Sequence, residues 1–311
     1  MDYTVTHVTR FRYQGPVYES VMEIRLGPRN DSRQEVQEFD LETNPAAAVF
    51  RYADAFGNSV HHFDTVPPHE ELLIQTRTRV RTSAARELPE RLEPSAWDTV
   101  ARLRAEGQLW DFFEPSPRVP VSPAVHAFAE ACGLARASDP LTCFRRIVSA
   151  VYGALVYAPE STTVDTLIET VLETRRGVCQ DFAHVALALA RASGIPCRYV
   201  SGYFAPANEQ HGGQTLTSHA WVEAWLPGLE WTGLDPTHDL VAGERHISVA
   251  VGRDYGDAAP THGMFRGGPA GTLSVSVRIE QATGVASTGE ILYPPPLVVS
   301  TPLPPAAQWE Q

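Results

Sequence analysis

The sequence predicts an α+β fold in which a β-rich N-terminal sandwich precedes a core of helices packed on an antiparallel sheet. Three observations lead to this prediction. Apolar and polar residues alternate in short runs over the first eighty or so residues, and the apolar spacing becomes helical after Pro123. Three strand-like runs then follow the last strong helix, without the regular alternation of strand and helix that a parallel sheet requires.

The predicted elements follow the chain in order. The segments are a β-rich N-terminal domain at residues 1–82, a connecting segment at 83–122, a core at 123–284 and an extended Pro-rich tail at 285–311. Turn signals such as Phe56-Gly57-Asn58 divide the first segment into hairpins. Helices are predicted at residues 123–136, from 139 onward, at 165–176 and at 182–192, and strands at 197–204, 219–226, 230–234 and 272–280.

Composition and charge exclude several classes of protein. The 25 basic and 37 acidic side chains give a net charge of −12, which argues against a nucleic-acid partner and against binding to an anionic membrane. Every basic side chain is arginine, since the sequence contains no lysine, and a phosphate-binding loop that needs lysine is therefore impossible. With 43% hydrophobic and 20% charged residues, the chain has the composition of a globular protein.

Two further patterns bear on the cellular location. The first residues lack the charged and apolar stretches of a secretory signal, and no apolar run approaches the roughly 20 residues that span a bilayer. We therefore expect a cytoplasmic protein. Its four cysteines are too few for a disulfide scaffold and are expected to be thiols. A functional role for any of them would therefore depend on the reactivity of its thiol.

Cys179 has the clearest chemical signal of the four. It lies between a glycine-containing turn and the strongly apolar helix predicted at 182–192. Backbone N–H groups and the positive end of the helix dipole favour a thiolate at such a position, and the same groups can stabilise an oxyanion. The other three lie within apolar helix or strand patterns and are expected to be structural thiols: Cys132, Cys143 and Cys197.

A thiolate nucleophile needs a base that later returns the proton, and histidine fits that role at neutral pH. His219 opens a predicted strand, and the next strand ends in Asp235. Adjacent antiparallel strands would set the carboxylate of Asp235 near the imidazole of His219, where it could orient the ring. Taken alone, each assignment stays open, because an Asp before Pro is commonly a turn former and a strand His is commonly structural.

Four strings stand in a fixed order along the chain. They are Arg176-Gly177-Val178-Cys179-Gln180-Asp181-Phe182-Ala183-His184, Gly194-Ile195-Pro196-Cys197-Arg198-Tyr199-Val200-Ser201-Gly202-Tyr203, Ser218-His219-Ala220-Trp221-Val222-Glu223 and Leu234-Asp235-Pro236-Thr237. They resemble the bacterial transglutaminase-like family. Residues 3–80 also resemble the β-rich N-terminal domain of that family, and residues 252–263 resemble its closing segment. At position 197 the resemblance implies a small residue such as alanine, whereas this chain has a cysteine. The resemblance implies a papain-like core and a Cys-His-Asp triad of Cys179, His219 and Asp235.

The resemblance also implies an oxyanion donor in the cleft. Tyr157 lies in the loop that leads to the helix of Cys179, and its hydroxyl could donate to a developing oxyanion or simply pack. Gln180, which follows the cysteine directly, is a second candidate.

Three further residues are candidates for the walls of the cleft. Trp221 is one, although we expect it to point to the strand face opposite His219 and to pack in the core. Asp254 and Tyr255 are the others, and a structural loop is the alternative interpretation for both.

Neither a metal ion nor an organic cofactor is expected. The sequence has no His-Glu-x-x-His helix, and the adjacent His61 and His62 would point to opposite faces of a strand. No acidic loop resembles a calcium site.

The sequence therefore predicts a cofactor-independent thiol enzyme whose substrate is an amide of a peptide or protein. Water would resolve a thioester on Cys179 to give a peptidase or amidase, whereas an amine would give cross-linking or amide transfer. We favour hydrolysis. An alternative of another class is a docking module that keeps the catalytic fold without its activity.

Overall fold

A computed structural model describes residues 1–205, 218–268 and 271–281 and the backbone of residues 301–302. Within these residues the helices are α1 (Ala96–Ala105), α2 (Trp110–Phe113), α3 (Pro123–Ala131), α4 (Pro140–Ala154), α5 (Ile168–Thr174), α6 (Cys179–Ala192) and α7 (Tyr255–Ala258). The strands are β1 (Asp2–Ile24), β2 (Gln34–Asn44), β3 (Phe50–Ala53), β4 (Ser59–Thr65), β5 (His69–Thr82), β6 (Val156–Tyr157), β7 (Arg176–Gly177), β8 (Cys197–Phe204), β9 (Ser218–Leu226), β10 (Glu230–Asp235), β11 (Leu240–Val241), β12 (His246–Gly252), β13 (Thr261–Gly267), β14 (Thr272–Gln281) and β15 (Thr301–Pro302). They form a large N-terminal sheet, a five-stranded core sheet and the short pair β6–β7, which confirms the α+β prediction.

The N-terminal sheet is organised around β1, which is 23 residues long. Up to Arg12, β1 pairs antiparallel with β5 on one side and β14 on the other. From Val17 onward it pairs with β4 and β13. The register shifts between these two parts, and both contribute to one apolar core that includes Phe11, Phe63 and Ile74. The predicted β-rich N-terminal sandwich is thus built from one curled sheet whose two halves share a core.

The strand predicted at 272–280 is present, but it pairs with a strand outside the segment to which the sequence assigned it. Both β13 and β14 pair with β1 rather than with the core sheet. Residues 261–281, which the sequence placed in the core segment 123–284, therefore belong to the N-terminal sheet. Alternation identifies a strand without identifying its partner, and here the partners come from opposite ends of the chain. The Pro-rich tail at 285–311 lies outside the described residues, except that β15 pairs with β14.

The core is built around α6. This helix packs on β8 and β9 of the sheet ordered β11-β10-β9-β8-β12, with α3, α4 and α5 around it. The helix is buried on almost every side, and ten of its fourteen residues are apolar or small. The predicted helix at 123–136 ends earlier, at Ala131, since Gly133 follows with φ 64. Among the described residues, no helix combines the length and the apolar character needed to cross a bilayer.

Glu223 forms ion pairs that connect the N-terminal part of the fold to the core sheet. Its fully buried carboxylate on β9 contacts Arg33, from the β1–β2 loop, and accepts a hydrogen bond from Arg198 Nε of β8 at 2.8 Å. Burial alone would raise the pKa of Glu223, but the charges of Arg198 and Arg33 outweigh burial and hold that pKa below its usual value.

We expect Glu223→Gln to lower the free energy of unfolding by about 3 kcal/mol, because it leaves two largely buried arginines without their counter-charge. Urea unfolding at pH 7 measures the loss. The control is Glu38→Gln, since Glu38 and Arg79 form an exposed pair at 3.8 Å that contributes less than about 1 kcal/mol. Because the pKa of Glu223 is depressed in the fold, its contribution is present above pH 4.5 and is lost as the pH falls through the folded value. Equal losses in the two variants would contradict this role.

Candidate active site

Cys179 is the first residue of α6, where the sequence predicted it to lie. Strand β7 leads into the helix, and Gly177 is needed there because a Cβ atom would lie 2.7 Å from the Asp181 side chain. Asp181 Oδ2 accepts from the backbone N–H of Val178 at 2.8 Å and from Thr162 Oγ1 at 2.6 Å. These bonds fix the first turn of the helix. The half-buried thiol therefore stands at the positive end of the helix dipole.

His219 and Asp235 meet across neighbouring strands. His219 lies on β9 and Asp235 ends β10, and the two strands pair antiparallel with Leu234 opposite Val222. His219 Nε2 lies 2.8 Å from Asp235 Oδ2, and both residues are buried. Asp235 Oδ1 accepts from the N–H of Thr237 at 2.9 Å. The structure thus brings together the two residues that the sequence placed on adjacent strands.

The electrostatics of the site couple three side chains. Burial disfavours the imidazolium of His219, but hydrogen bonds to Asp235 and to the Cys179 thiol outweigh burial and raise the pKa of His219 to about 10. Burial also disfavours the carboxylate of Asp235, yet the hydrogen bonds from histidines hold its pKa well below the usual range. Because His219 Nε2 is engaged by Asp235, Nδ1 is the nitrogen left for Cys179. The arrangement suits a thiolate–imidazolium pair backed by a carboxylate.

His219 should remain protonated throughout the neutral range. Its raised pKa means that the imidazolium persists above 6.5 and is lost only as the pH rises through about 10. His7 is an internal comparison, because burial lowers its pKa to about 4 and keeps it neutral over the same range. An NMR titration of the histidine ring resonances measures both. A His219 midpoint at or below 6.5 would be incompatible with this scheme of hydrogen bonds.

Sequence reasoning missed two histidines that also contact Asp235. His238 Nδ1 lies 2.8 Å and His246 Nε2 lies 3.2 Å from the same Oδ2 atom. Phe204 packs against the rings of His219, His238 and His246, with centroids 5.3, 4.7 and 4.6 Å away. His238 could have been suspected, because it follows Asp235 by three residues in a turn. His246 gives no such signal, since it comes from β12.

The two oxyanion candidates lie on the helix side of the site. Burial and the nearby charge of Cys179 raise the pKa of Tyr157, on β6, to about 12, so its hydroxyl stays neutral and able to donate. The buried Gln180 donates from Nε2 to the carbonyl of Val164 at 3.4 Å. Tyr199, which the sequence did not single out, is fully buried, and its pKa is raised by burial and by the charge of Cys179. The charge of Cys179 thus acts on the hydroxyls of both Tyr157 and Tyr199.

The side chain of Trp221 lies on a different face of β9 from the one that we expected. It is fully buried with Val200 and Val251, as predicted. Its ring, however, stacks on His219 with centroids 6.1 Å apart, on the same face of β9. The predicted opposite face was wrong, because residues i and i+2 of a strand share a face. Trp221 therefore packs directly against the histidine.

Asp254 and Tyr255 lie where a short loop enters α7. Asp254 Oδ1 accepts from the N–H of Gly256 at 2.8 Å and Oδ2 from the N–H of Arg118 at 3.1 Å. The N–H of Tyr255 donates to His184 Nε2 at 3.2 Å. Both carboxylate oxygens of Asp254 are thus engaged in bonds that shape the loop, whereas Tyr255 is a half-buried residue packed at the edge of the core.

The other cysteines have the surroundings of structural thiols. Cys143 and Cys197 are buried, and Cys132 is half-buried. Cys197 Sγ donates to the carbonyl of Leu187 at 3.6 Å, and burial raises the pKa of Cys197 to about 11. Cys197 is therefore a neutral thiol at physiological pH, although it is close to the candidate site in sequence.

One group of side chains within the described ranges has the geometry of a metal site. Ligand atoms of His219, Asp235 and His238 lie within 4.8 Å of one another. Both histidines, however, already contact the Asp235 carboxylate, His219 through Nε2 and His238 through Nδ1, each at 2.8 Å, so hydrogen bonds account for the grouping. The donor set thus fits a hydrogen-bonded cluster, and we assign no metal to it.

Two regions of the chain match known protein families. Residues 3–81 match the bacterial transglutaminase-like N-terminal region, and residues 127–236 match the transglutaminase-like superfamily. An uncharacterized protein of Mycobacterium leprae is 37% identical over 281 residues, which cover 88% of this chain and 97% of that protein. A protein-glutamine gamma-glutamyltransferase of Pseudomonas aeruginosa is 36% identical over 96 residues, which cover 30% of this chain and 14% of that enzyme.

A solved structure shares the whole architecture. A candidate cysteine protease of Cytophaga hutchinsonii superposes with a TM-score of 0.70, covering 94% of each chain at 21% identity. At that identity the likeness concerns the fold. Together with the two matched regions and the mycobacterial relative, it gives the assignment: the chain belongs to the transglutaminase-like superfamily and carries the N-terminal region of its bacterial members.

Proposed function

We propose that the protein is a cofactor-independent thiol enzyme that acts on an amide of a peptide or protein. One observation carries the proposal: the buried Asp235 is hydrogen-bonded to His219, whose other nitrogen is left for Cys179 at the start of α6. A cysteine, a histidine and a carboxylate in this relation have the roles of nucleophile, acid–base group and orienting group. Membership in the superfamily supports the same assignment.

The first half of the reaction forms a thioester. The Cys179 thiolate attacks the amide carbonyl carbon, and the His219 imidazolium gives its proton to the nitrogen as the C–N bond breaks. Asp235 holds the ring and stabilises its cation. The N–H groups at the start of α6, with the hydroxyl of Tyr157 as a second donor, stabilise the oxyanion. Ammonia leaves from a side-chain amide, or an amine from a backbone amide, and the acyl group stays on the sulfur.

The second half decides the activity, and we favour hydrolysis. His219, neutral after the first half, takes a proton from water as the water oxygen attacks the thioester. Cys179 is half-buried, and the nearby side chains of Tyr157 and His238 are 37% and 40% exposed, which supports the access of water to the thioester. Amine transfer is the second candidate, and the similarity to the Pseudomonas aeruginosa gamma-glutamyltransferase over 96 residues favours it.

Alkylation by iodoacetamide at graded pH tests whether Cys179 is activated. We expect Cys179 to react at least about 10-fold faster than Cys132 at pH 6, because an adjacent imidazolium stabilises the reactive thiolate. Cys132 is the matched comparison, since it is also half-buried. Peptide mapping by mass spectrometry locates the label. If Cys179 reacts no faster than the other three cysteines below pH 7, the proposal fails and the docking module is the better account.

A product assay separates hydrolysis from transfer. Glutamine-containing peptides are incubated with and without a primary amine, and the products are identified by mass. Hydrolysis predicts deamidated or cleaved peptide in both reactions, whereas an amine adduct as the main product would replace hydrolysis by transfer. The enzyme contributes no lysine acceptor of its own, because its sequence contains none, so a lysine isopeptide must join added substrates.

A further inference from the structure

We propose that His246 is a positioning residue of this site, whose Nε2–H holds the Asp235 carboxylate in the orientation that His219 needs. The inference rests on the proposed function, because it adds a residue to the same site. His246 itself is buried and lies behind Asp235, so it acts on the reaction only through the carboxylate.

A backbone hydrogen bond fixes the tautomer of His246. Its Nδ1 accepts from the N–H of Gly243 at 3.1 Å, so the proton of the neutral ring resides on Nε2. That N–H donates to Asp235 Oδ2 at 3.2 Å. Burial lowers the pKa of His246 and keeps the ring neutral at physiological pH. His246 thus gives Asp235 a donor without placing a second cation beside His219.

The contact joins two distant strands of the core sheet. In the strand order, β10 and β12 are separated by β9 and β8, which would set them roughly 14 Å apart in a flat sheet. The sheet curls so that the start of β12 meets the end of β10. Phe204, opposite His246 on β8, fills the space inside the curl with its centroid 4.6 Å from the imidazole. The hydrogen bond from His246 therefore connects β12 to β10 at Asp235 Oδ2, the same atom that contacts His219.

His238 donates to the same oxygen but differs in exposure. Its side chain is 40% exposed, whereas that of His246 is 4% exposed. Water can replace an exposed donor, but the loss of a buried donor leaves the carboxylate short of a hydrogen bond. His246 is therefore the donor whose loss Asp235 cannot recover from solvent.

Two substitutions separate positioning from packing. His246→Gln keeps an N–H donor at the place of Nε2, whereas His246→Asn keeps an acceptor near Nδ1 and loses the donor to Asp235. The control is His7→Gln, since His7 is also buried and is hydrogen-bonded at both nitrogens, to Tyr203 Oη at 2.9 Å and Thr9 Oγ1 at 3.0 Å.

Two measurements read the effect without any substrate. Alkylation of Cys179 at pH 6 should be about 10-fold slower in His246→Asn and close to the wild-type rate in His246→Gln and His7→Gln. The low-field proton NMR resonance of the His219–Asp235 hydrogen bond should be present in the wild type and in His246→Gln, and broadened or lost in His246→Asn.

Each outcome decides between the alternatives. If His246→Asn keeps the wild-type rate and resonance, or if the Gln and Asn variants lose both equally, His246 does not position Asp235. If Cys179 of the wild type is not activated, the proposed function fails instead. The resonance then still shows whether His246 holds the carboxylate.

Discussion

Replacement of Cys179 by alanine is expected to reduce amide turnover by roughly 10^4-fold or more, because it removes the atom that forms the thioester. Alanine suits the first turn of a helix, so the fold should be retained. Turnover is measured with the peptides that the wild-type protein converts. Cys132→Ala is the control, since Cys132 is equally half-buried and lies outside the proposed site. A Cys179→Ala variant with more than a trace of the wild-type rate would show that another group is the nucleophile.

Replacement of Asp235 by asparagine should have the second largest effect, a fall of roughly 10^4-fold in turnover. The amide would present an NH2 group or a single neutral oxygen to the imidazole N–H groups that now converge on Oδ2. The imidazolium of His219 would lose its counter-charge, and its preferred tautomer would change.

The control for this variant is Asp139→Asn. Asp139 is also fully buried, but it caps α4 by accepting from the N–H of Thr142 at 2.9 Å, and asparagine caps helices as well. Steady-state turnover and the alkylation rate of Cys179 are measured for both variants. If the two variants lose activity alike, the effect of Asp235→Asn reflects stability rather than a role in the site.

Local patterns were enough to predict the parts of the site that local structure builds. Cys179 begins α6 because a glycine turn precedes a long apolar run, and both features are visible in the sequence. His219 and Asp235 adjoin because consecutive antiparallel strands joined by a short turn pair with each other. These contacts depend on neighbours in sequence, where periodicity and turn chemistry carry the information.

The features that sequence reasoning missed depend on long-range contacts. His246 reaches Asp235 through the curl of a five-stranded sheet, which no local pattern encodes. The strand at 272–280 alternates clearly, yet its partner is the first strand of the chain. The error at Trp221 is of another kind, since the period of two along β9 already sets it on the face of His219.

Trapping the acyl-enzyme tests the central claim most directly. The wild-type protein is quenched in acid during reaction with a library of glutamine-containing peptides, and intact mass followed by peptide mapping locates any adduct. We expect an acyl group on Cys179, with the mass of a peptide less ammonia if the side-chain amide reacts, or of its N-terminal fragment less water if the backbone is cleaved. Hydroxylamine should release it. Turnover without an adduct on Cys179, or an adduct on another cysteine, would contradict the account.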